Sequence, residues 1–290
     1  MLILIKTKAL SIVKNKLVSP FLKWVGGKRQ SISSILKYLP QNVGSYNYIE
    51  PFVGGGALLF HLQPQTAKIN DLNSELINVY NIIKNNIDEL LDDLKKHKNN
   101  ADYFYKIRSL DRSPKYHQLS EVQRASRIIF LNKTCFNGLY RVNNAGEFNT
   151  PYGRYKNPNI VNEPTLKAVN KYLNTNNIEV FSLDYENVLT EATKNSFVYL
   201  DPPYHPVSES SNFTGYIQGG WSSQDQERLK SVCSSLDKKG IKFLLSNSST
   251  AFIKNLYKNY SIVTIRANRT INSDGEKRGE VDEVLIRNYE

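Results

Sequence analysis

The stretch "SFVYLDPPY", residues 196–204, limits the fold more than any other part of this sequence. Its first five residues form an apolar run rich in β-branched and aromatic residues, which is typical of a buried strand. The two prolines cannot continue a strand ladder because each lacks an N–H group, so the strand ends at Asp201. A carboxylate, a rigid turn and the Tyr204 ring then lie at its carboxyl end, the edge where open α/β sheets bind ligands. A strand-ending turn with a solvated Asp201 is the alternative.

Strand patterns occur near both ends of the chain. Residues 46–62 predict a strand, a glycine turn and a helix, and residues 67–71 predict a short strand that ends in an acid. Strand-like runs return at 178–183, 197–200, 241–245 and 281–287. These pieces predict an α/β protein.

A long helical and turn-rich stretch separates the two sets of strands. The pattern is helical from residue 72 to about 129, and residues 134–160 are rich in turn-forming residues. We therefore expect one α/β domain, residues 1–72 and 178–290, interrupted by a second domain, residues 73–177.

The composition favours a polyanionic partner. The chain has 38 Lys and Arg residues against 27 Asp and Glu, a formal net charge of +11. Such an excess most often indicates nucleic acid, although a basic solvated surface is the alternative. Two cysteines are too few for a disulfide framework or a cysteine-based zinc site, and the four histidines show no metal-ligand spacing. We expect a reducing compartment and no metal.

The first twenty residues are apolar but are interrupted by four lysines. They lack the charged segment, the apolar core and the small-residue cleavage site of a secretory signal. The lysines also interrupt any membrane span. We interpret this segment as a non-secretory extension and expect no membrane association.

The stretch "EPFVGGGALL" places three glycines between a predicted strand and a helix. Glycine lets the backbone approach a ligand closely, and Asp71, 17 residues after Gly54, ends the next strand, where an acid can bind ribose hydroxyls. A dinucleotide fingerprint would need glycine where Leu59 stands, and a triphosphate loop is absent. The glycines alone fit a structural hinge equally well. Paired with the acid, they favour a nucleoside-type ligand.

Two further segments resemble ligand-binding loops. The stretch "FLKWVGGKRQ" carries Trp24, Gly26, Gly27 and Lys28, an aromatic ring and a cation beside a close-approach turn. In "VFSLDYENVL", Asp184 ends a predicted strand and could accept a hydrogen bond from an adenine amine. Each is more often a surface loop or a helix cap. Their convergence at predicted strand ends supports a shared site.

The ordered motifs "KWVGGK", "YIEPFVGGGALLF", "INDLN", "CFNGLYRVNNAGEFNTPYGRYKNP", "SLDYENVL", "VYLDPPY" and "EVLIRNY" resemble those of the Dam-type, D12-class DNA adenine-N6 methyltransferases. The resemblance runs from about residue 20 to residue 289. It implies the class I S-adenosylmethionine-dependent methyltransferase fold, a mixed seven-stranded α/β sheet with the last strand reversed. It also implies an inserted helical and β-hairpin domain that recognises the DNA target.

The resemblance further implies a reaction in which S-adenosylmethionine methylates a flipped adenine in duplex DNA, with GATC as the target. Asp201 and the Pro202 carbonyl would accept the two amino hydrogens, which aims the nitrogen lone pair at the methyl group. The Tyr204 ring would stack on the flipped base, with core packing as the alternative. The catalytic candidates are Asp201, Pro202, Pro203 and Tyr204.

The methyl donor would bind around the glycine turn, with Pro51 and Phe52 as a wall. Because the donor's reactive end is cationic, nearby carboxylates would stabilise it electrostatically. By resemblance, the donor-binding candidates are Trp24, Gly26, Gly27, Lys28, Glu50, Pro51, Phe52, Gly54, Asp71, Asp184, Tyr185 and Asp201. We expect this co-substrate, double-stranded DNA as partner, a monomer, and a cytoplasmic, DNA-associated protein of bacterial or phage type.

The hairpin would read the DNA. By resemblance, Phe136 would wedge into the opened stack, Asn137 would fill the gap, and Arg141 and Lys23 would bind guanines. Phe136 stands where many relatives carry Tyr, which a wedge should tolerate. A solvated loop with a phosphate-contacting arginine is the alternative. The full set of DNA-binding candidates is Lys23, Lys133, Phe136, Asn137, Leu139, Arg141, Asn143, Pro151, Arg154 and Lys156, of which Lys133, Arg154 and Lys156 would contact phosphates.

Three other functions are compatible with parts of the sequence. The protein could be the adenine methyltransferase of a restriction-modification system with a different target. It could act on another nucleic acid or an amide, although Asp201 at the first motif position favours adenine. It could also be a DNA-binding protein without activity, which the intact Asp201 and Tyr204 argue against.

Overall fold

The structure is a computed structural model that describes residues 14–207, 221–268 and 280–290. Its strands are β1 (Asn47–Glu50), β2 (Thr66–Asn70), β3 (Asn177–Phe181), β4 (Ser196–Leu200), β5 (Lys242–Ser248), β6 (Ser261–Asn268) and β7 (Glu280–Arg287). They form one sheet in the order β3-β2-β1-β4-β5-β7-β6. Strands β1 to β5 pair with one another in parallel, whereas β7 is antiparallel to both β5 and β6. The predicted mixed sheet with a reversed last strand is confirmed.

Ten α-helices are assigned within the described residues. They are α1 (Ile32–Leu36), α2 (Ala57–Leu62), α3 (Ser74–Asn85), α4 (Ile87–Leu94), α5 (Ala101–Arg108), α6 (Glu121–Thr134), α7 (Glu163–Thr175), α8 (Tyr185–Leu189), α9 (Ser223–Lys238) and α10 (Ala251–Leu256). Ser120 and Ser222 form capping boxes at the starts of the two longest helices, α6 and α9. In the described ranges, no helix combines the length and apolar character needed to cross a bilayer.

Strand β6 was not among the sequence-predicted strands. Its sequence, "SIVTIRAN", mixes apolar and polar residues because β6 lies at the edge of the sheet and, among the strands that the structure describes, pairs with β7 alone. A central strand such as β4 is instead buried along its whole length and gives a continuous apolar run. The edge position therefore explains the weaker signal.

The apolar core lies on both faces of the sheet. One cluster joins Ile69 and Phe197 of the sheet to Leu76, Ile128 and Leu166 of α3, α6 and α7. The helical stretch between β2 and β3 thus shares a core with the sheet. The division of the chain at residues 73 and 177 stays a prediction.

The parallel strands bring several polar residues to one edge. Glu50 ends β1, Asn70 ends β2 and Asp201 follows β4 directly. The buried Asn70 amide donates to the carbonyls of Pro51 and Leu183, each 3.0 Å away, and its oxygen accepts from the Leu183 N–H. One side chain therefore holds the loops after β1 and β3 against the end of β2.

Replacing Gly56 with alanine should destabilise the fold. Gly56 has a φ of 69°, and a Cβ there would lie 2.7 Å from the Tyr80 hydroxyl and 2.8 Å from Cε2 of Phe60. Backbone strain and overpacking together should cost about 2–4 kcal/mol. Urea unfolding followed by circular dichroism measures this. As a control, Gly44→Ala, where a Cβ meets nothing within 4 Å, should change stability by less than about 0.5 kcal/mol. Equal effects would contradict the packing argument.

Candidate active site

Asp201 stands where the sequence predicted it, directly after the fully buried β4. Its Oδ1 atom lies 2.8 Å from the ammonium nitrogen of Lys28. Lys28 is only 6% exposed, and it also donates to the Gly26 carbonyl over 2.6 Å. The same ammonium lies 4.6 Å from the centre of the Tyr204 ring. One buried cation thus connects the loop before α1 to the DPPY turn.

Buried carboxyl groups surround this cation. Burial raises the pKa of Asp201 to about 6, against the opposing effect of Lys28. Burial also raises the pKa of Glu50 well above its ordinary value, and Glu50 accepts from the Tyr48 hydroxyl over 2.8 Å. The pKa of Tyr204 is raised by burial and by nearby carboxylates, so its hydroxyl stays protonated and donates to Glu283 over 3.1 Å.

Two amide side chains hold the DPPY turn in place. Gln226 of α9 donates to the Pro203 carbonyl over 2.9 Å. Asn247 of β5 accepts from the His205 N–H over 3.1 Å and donates to the Gln226 side chain over 3.0 Å. Within the described part of the chain, no group donates to the carbonyl of Pro202. That carbonyl therefore keeps its capacity to accept a hydrogen bond from a ligand.

Sequence reasoning missed Gln226, Asn247 and Glu283. All three are polar, buried and distant in sequence from the DPPY turn. Asn247 lies in the apolar run "KFLLSNS" of β5, and Glu283 interrupts the apolar pattern of β7. A polar residue inside a predicted buried strand is the signal that could have found both.

The glycine turn after β1 is held by Asp71. The Gly54 N–H donates to Oδ2 of Asp71 over 3.0 Å, and the Asn73 N–H donates to Oδ1 over 2.9 Å. Gly54 itself has a φ of 48°, and its carbonyl accepts from the Tyr80 hydroxyl. Burial raises the pKa of Asp71 to about 6, against these backbone donors. Asp71 therefore shapes the turn, and its predicted contact with ribose would use its remaining lone pairs.

Trp24 lies directly against the glycine turn. A Cβ atom at position 54 would lie 2.8 Å from Cδ1 of Trp24, and one at position 55 would lie 3.2 Å from its Cβ. The Gly27 N–H closes the Trp24 loop by donating to the Trp24 carbonyl over 3.1 Å. On the hairpin side, the indole stacks on the Tyr140 ring at 4.8 Å and 23°.

Asp184 is engaged by a residue that the sequence did not reveal. Arg228 of α9 donates to both its carboxylate oxygens, over 3.0 and 2.8 Å, and also donates to Glu186. The guanidinium lies 4.9 Å from the centre of the Tyr185 ring. The predicted acceptance of an adenine amine by Asp184 stays a prediction, and it would require a change in this ion pair.

Three aromatic rings meet beside this ion pair. Phe52 follows β1, Tyr185 begins α8 and Trp221 precedes α9. Phe52 lies 5.2 Å from the Tyr185 ring and 5.7 Å from Trp221. Among the described residues, the buried Tyr185 hydroxyl and the Trp221 indole N–H have no hydrogen-bond partner. Because unpaired buried polar groups are costly, these atoms are candidates for ligand contacts.

The predicted hairpin carries an exposed apolar ring at its base. Phe136 is 52% exposed, and its N–H donates to the Pro151 carbonyl over 2.8 Å. Asn137 follows with a φ of 57°, and Leu139 accepts from the Thr150 hydroxyl. An exposed phenylalanine on a constrained turn fits the predicted wedge.

Arg141 is held by Asn149, on the segment that faces it beside the isolated β-bridge between Val142 and Phe148. Its Nε donates to Oδ1 of Asn149 over 2.6 Å, while its carbonyl accepts from the Asn149 N–H. Asn143 forms the turn by accepting from the N–H groups of Ala145 and Glu147. Asn143 thus has a structural role, and its predicted DNA contact stays a prediction.

The basic candidates fall into two groups. The pKa of Lys133 is lowered by burial and by the nearby charges of Lys23 and Arg29, so these three cations lie close to one another. Arg154 and Lys156 are exposed on the chain that leaves the hairpin. Lys23 lies on the loop that carries Trp24 and Lys28, and Lys133 lies near Lys23.

Comparison with known proteins identifies a family. The model of the family described as D12 class N6 adenine-specific DNA methyltransferase matches residues 24–271. The Type II methyltransferase M1.LlaDCHI of Lactococcus lactis subsp. cremoris is 46% identical, covering 95% of this chain and 98% of that protein. The Type II methyltransferase M.MjaIII of Methanocaldococcus jannaschii is 43% identical, covering 94% and 99%. A DNA adenine methylase of Serratia marcescens is 34% identical, covering 91% and 96%.

Removing the Lys28 charge should raise the pKa of Asp201. Lys28 lowers this pKa, and burial alone would keep the carboxyl protonated to a higher pH. In Lys28→Met we therefore expect the carboxyl to titrate clearly above 6, measured by carbon NMR of the side-chain carboxyl. Lys23→Met, a change to an exposed lysine of the same loop, is the control and should leave it near 6. The same pKa in Lys28→Met and the parent would contradict the ion pair.

Proposed function

The chain belongs to the D12 class of N6 adenine-specific DNA methyltransferases, and from this membership we propose that S-adenosylmethionine is its methyl donor and GATC its target. The observation that carries the proposal is the placement of Asp201, Lys28 and the glycine turn at one edge of the sheet. Residues 23–28 join this edge to the hairpin. The candidate residues for donor binding therefore lie next to the candidate residues that would hold the target base.

The charge balance of the site fits a cationic donor. Glu50 is buried, Asp71 and Asp201 are partly buried, and the pKa of each carboxyl group is raised. Lys28 is the cation that faces Asp201. A sulfonium group at this edge would stabilise the ionised carboxylates. The glycine turn and the wall of Pro51 and Phe52 would hold the amino-acid part of the donor.

The purine part of the donor fits the aromatic cluster. Phe52, Tyr185 and Trp221 offer ring faces, and the Tyr185 hydroxyl and Trp221 N–H can pair with purine nitrogens. Asp71 would use its free lone pairs for ribose. Gly26, Gly27 and Trp24 would close the site from the loop before α1.

The chain's residues would activate the adenine by orienting it. When bound, the donor supplies an electrophilic methyl group, while the adenine amine is a poor nucleophile because its lone pair is delocalised into the ring. The Asp201 carboxylate and the Pro202 carbonyl would each accept one amino hydrogen, which localises the lone pair. Asp201 must be ionised for this, so transfer should weaken as the pH falls through about 6. Lys28 lies 4.6 Å from the centre of the Tyr204 ring, and the flipped base would stack on the face of the ring that Lys28 does not occupy.

The hairpin supports DNA opening and reading. Phe136 is exposed and apolar, as a wedge between base pairs must be. Asn149 holds Arg141 through Nε, and its carbonyl accepts from one terminal nitrogen over 3.4 Å, so a bidentate guanine contact would require a change in that hydrogen bond. Lys23 and Lys133, with Arg29, give the adjoining surface the charge that phosphates bind. We propose that the protein acts on DNA as a monomer.

A role in a restriction-modification system is the second candidate. It is favoured because the relatives at 46% and 43% identity are both named Type II methyltransferases, whereas the DNA adenine methylase is 34% identical. The two roles share the same chemistry. They differ in whether a restriction endonuclease cuts the same sequence. In a restriction-modification system, methylation of that sequence should protect the DNA from cleavage by the endonuclease.

Methyl transfer and its position test the proposal together. Purified protein is incubated with duplex DNA and S-adenosylmethionine labelled in the methyl group, and the product DNA is sequenced by a method that reads N6-methyladenine. We expect labelled adenine within GATC. Label in cytosine or no transfer would refute the reaction, whereas adenine methylation in another sequence would refute only the target.

Replacing Asp201 should abolish methyl transfer while DNA binding stays within a few-fold. Loss of a well-placed acceptor usually costs about 10²-fold or more in turnover. Single-turnover assays compare Asp201→Ala and the isosteric Asp201→Asn with the parent, and thermal melting checks folding. A folded Asp201→Ala variant that keeps more than about a tenth of the parent rate would remove Asp201 from the reaction.

Replacing Arg141 should relax recognition of one guanine. Loss of a bidentate arginine–guanine pair costs roughly 1–3 kcal/mol of discrimination, about tenfold to a hundredfold. Arg141→Ala should therefore methylate a duplex altered at that guanine relatively better than the parent does. Arg154→Ala serves as the control, because loss of a phosphate contact weakens all sequences equally and lowers the salt slope. If Arg141→Ala lowers the methylation rate equally on all duplexes, Arg141 contacts a phosphate instead of a guanine.

A further inference from the structure

The Tyr204 ring is held at two points. Its hydroxyl donates to Oε2 of Glu283 over 3.1 Å, and the Lys28 ammonium lies 4.6 Å from the centre of the ring. The hydroxyl lies on the long axis of the ring, so its hydrogen bond fixes the direction of that axis. The ammonium restrains rotation of the ring about the same axis. The orientation of the ring therefore depends on Glu283 as well as on the DPPY turn.

Glu283 reaches the ring from the neighbouring part of the sheet. Strand β7 pairs antiparallel with β5, and Glu283 is in register with Ser248, the last residue of β5. The Ser248 hydroxyl donates to the carbonyl of His205, the residue after Tyr204, over 2.6 Å. The pairing of β5 with β7 thus places Glu283 beside the DPPY turn, although Tyr204 and Glu283 are 79 residues apart in sequence.

Stability of the fold does not account for an acid at this position. Glu283 is 8% exposed, and the three residues that follow it in β7 are buried and apolar. In the part of the chain that the structure describes, its carboxylate accepts from the Tyr204 hydroxyl and has no ion-pair partner. Burying a carboxylate without a cation costs free energy, so a neutral side chain of the same shape should be at least as stable. What the acid provides is an acceptor for Tyr204.

We propose that Glu283 is a positioning residue of methyl transfer, which holds the Tyr204 ring in the orientation that stacks on the flipped adenine. The inference rests on the proposed function, because it takes this ring as the stacking surface. Glu283 itself contacts neither the base nor the donor. Its effect is on the rate, because a displacement of the reacting group by about 1 Å can cost on the order of 10²-fold.

The charge of Glu283 is a second route to the site. This charge raises the pKa of Asp201, in the direction opposite to the effect of Lys28. The hydrogen bond and the charge can be separated by substitution. Glutamine at position 283 removes the charge but keeps an oxygen that can accept from the Tyr204 hydroxyl, whereas alanine removes both.

Single-turnover methylation at saturating S-adenosylmethionine and duplex tests the hydrogen bond. Glu283→Ala should lower the rate about tenfold, with the duplex Kd within about twofold of the parent value, because positioning acts after binding. Glu283→Gln should stay within about threefold of the parent rate and should melt at or above the parent temperature. Equal losses in the two variants would assign the effect to charge and overturn the proposal.

A matched control comes from the preceding residue of the same strand. Asp282 is exposed, so Asp282→Ala removes an acid of β7 that does not reach the DPPY turn and should keep the parent rate. Thermal melting checks folding of every variant. If Glu283→Ala does not fold, Glu283→Leu, which is closer in size to glutamate, takes its place in each comparison.

A double-mutant cycle shows whether Glu283 acts through the Tyr204 hydroxyl. Tyr204→Phe removes the hydroxyl and keeps the ring, so it should lower the rate by about the same factor as Glu283→Ala. Because both changes remove one interaction, the double variant should be no slower than either single variant. If the two losses multiply, Glu283 acts by another route and the proposal is wrong.

Tyr204→Ala separates this inference from the function on which it rests. Loss of the whole ring should lower the rate more than loss of the hydroxyl does. A folded Tyr204→Ala variant with the parent rate would refute stacking on Tyr204 and the role of Glu283 with it. If Tyr204→Ala is slow while Glu283→Ala and Tyr204→Phe keep the parent rate, the positioning role alone is refuted.

Discussion

The buried ammonium of Lys28 is the interaction on which the arrangement of this site depends. A charge removed from water is costly unless it is paired and hydrogen-bonded, and Lys28 meets both needs through Asp201 and the Gly26 carbonyl. Those contacts fix the loop before α1 to the carboxyl end of β4. The prolines stiffen the other side of the contact, so the carboxylate is presented in one orientation. Substituting either partner leaves an unpaired charge in a region that also holds Glu50.

Buried asparagines fix further loops around the site by hydrogen bonds. Asn70 and Asn132 each join backbone segments that are far apart in sequence, through donor and acceptor atoms of one side-chain amide. Asn247 accepts from the His205 N–H and donates to the Gln226 side chain. An amide satisfies both N–H and carbonyl groups without introducing charge, which suits irregular loops inside a protein. Asparagine is common throughout this chain, so composition alone gives no indication that these three are structural.

Residues that end strands locally, such as proline and glycine, made the ends of β1, β2 and β4 predictable. Prolines and glycines act on their own backbone, so Asp201 and the glycine turn lay where the sequence placed them. Partners supplied from a distance could not be predicted in this way. Arg228 on Asp184, Gln226 on Pro203 and the edge strand β6 depend on which elements meet in space. The structural roles of Asp71 and Asn143 could not be predicted for the same reason. The backbone N–H groups that they accept from are brought to them only when the loop folds.

The position of β4 between β1 and β5 has a consequence for synthesis of the chain. β1 pairs with β4 through Asn47 and Ser196, so the two strands lie far apart in sequence. A ribosome adding roughly 5–20 residues per second needs on the order of ten seconds to make the intervening chain. During that interval one edge of β1 has no strand to pair with, and the helices packed above the sheet cannot close their shared core. An unpaired strand edge and an open apolar core both favour aggregation. We therefore expect the incomplete chain to aggregate at high rates of synthesis unless a chaperone binds it.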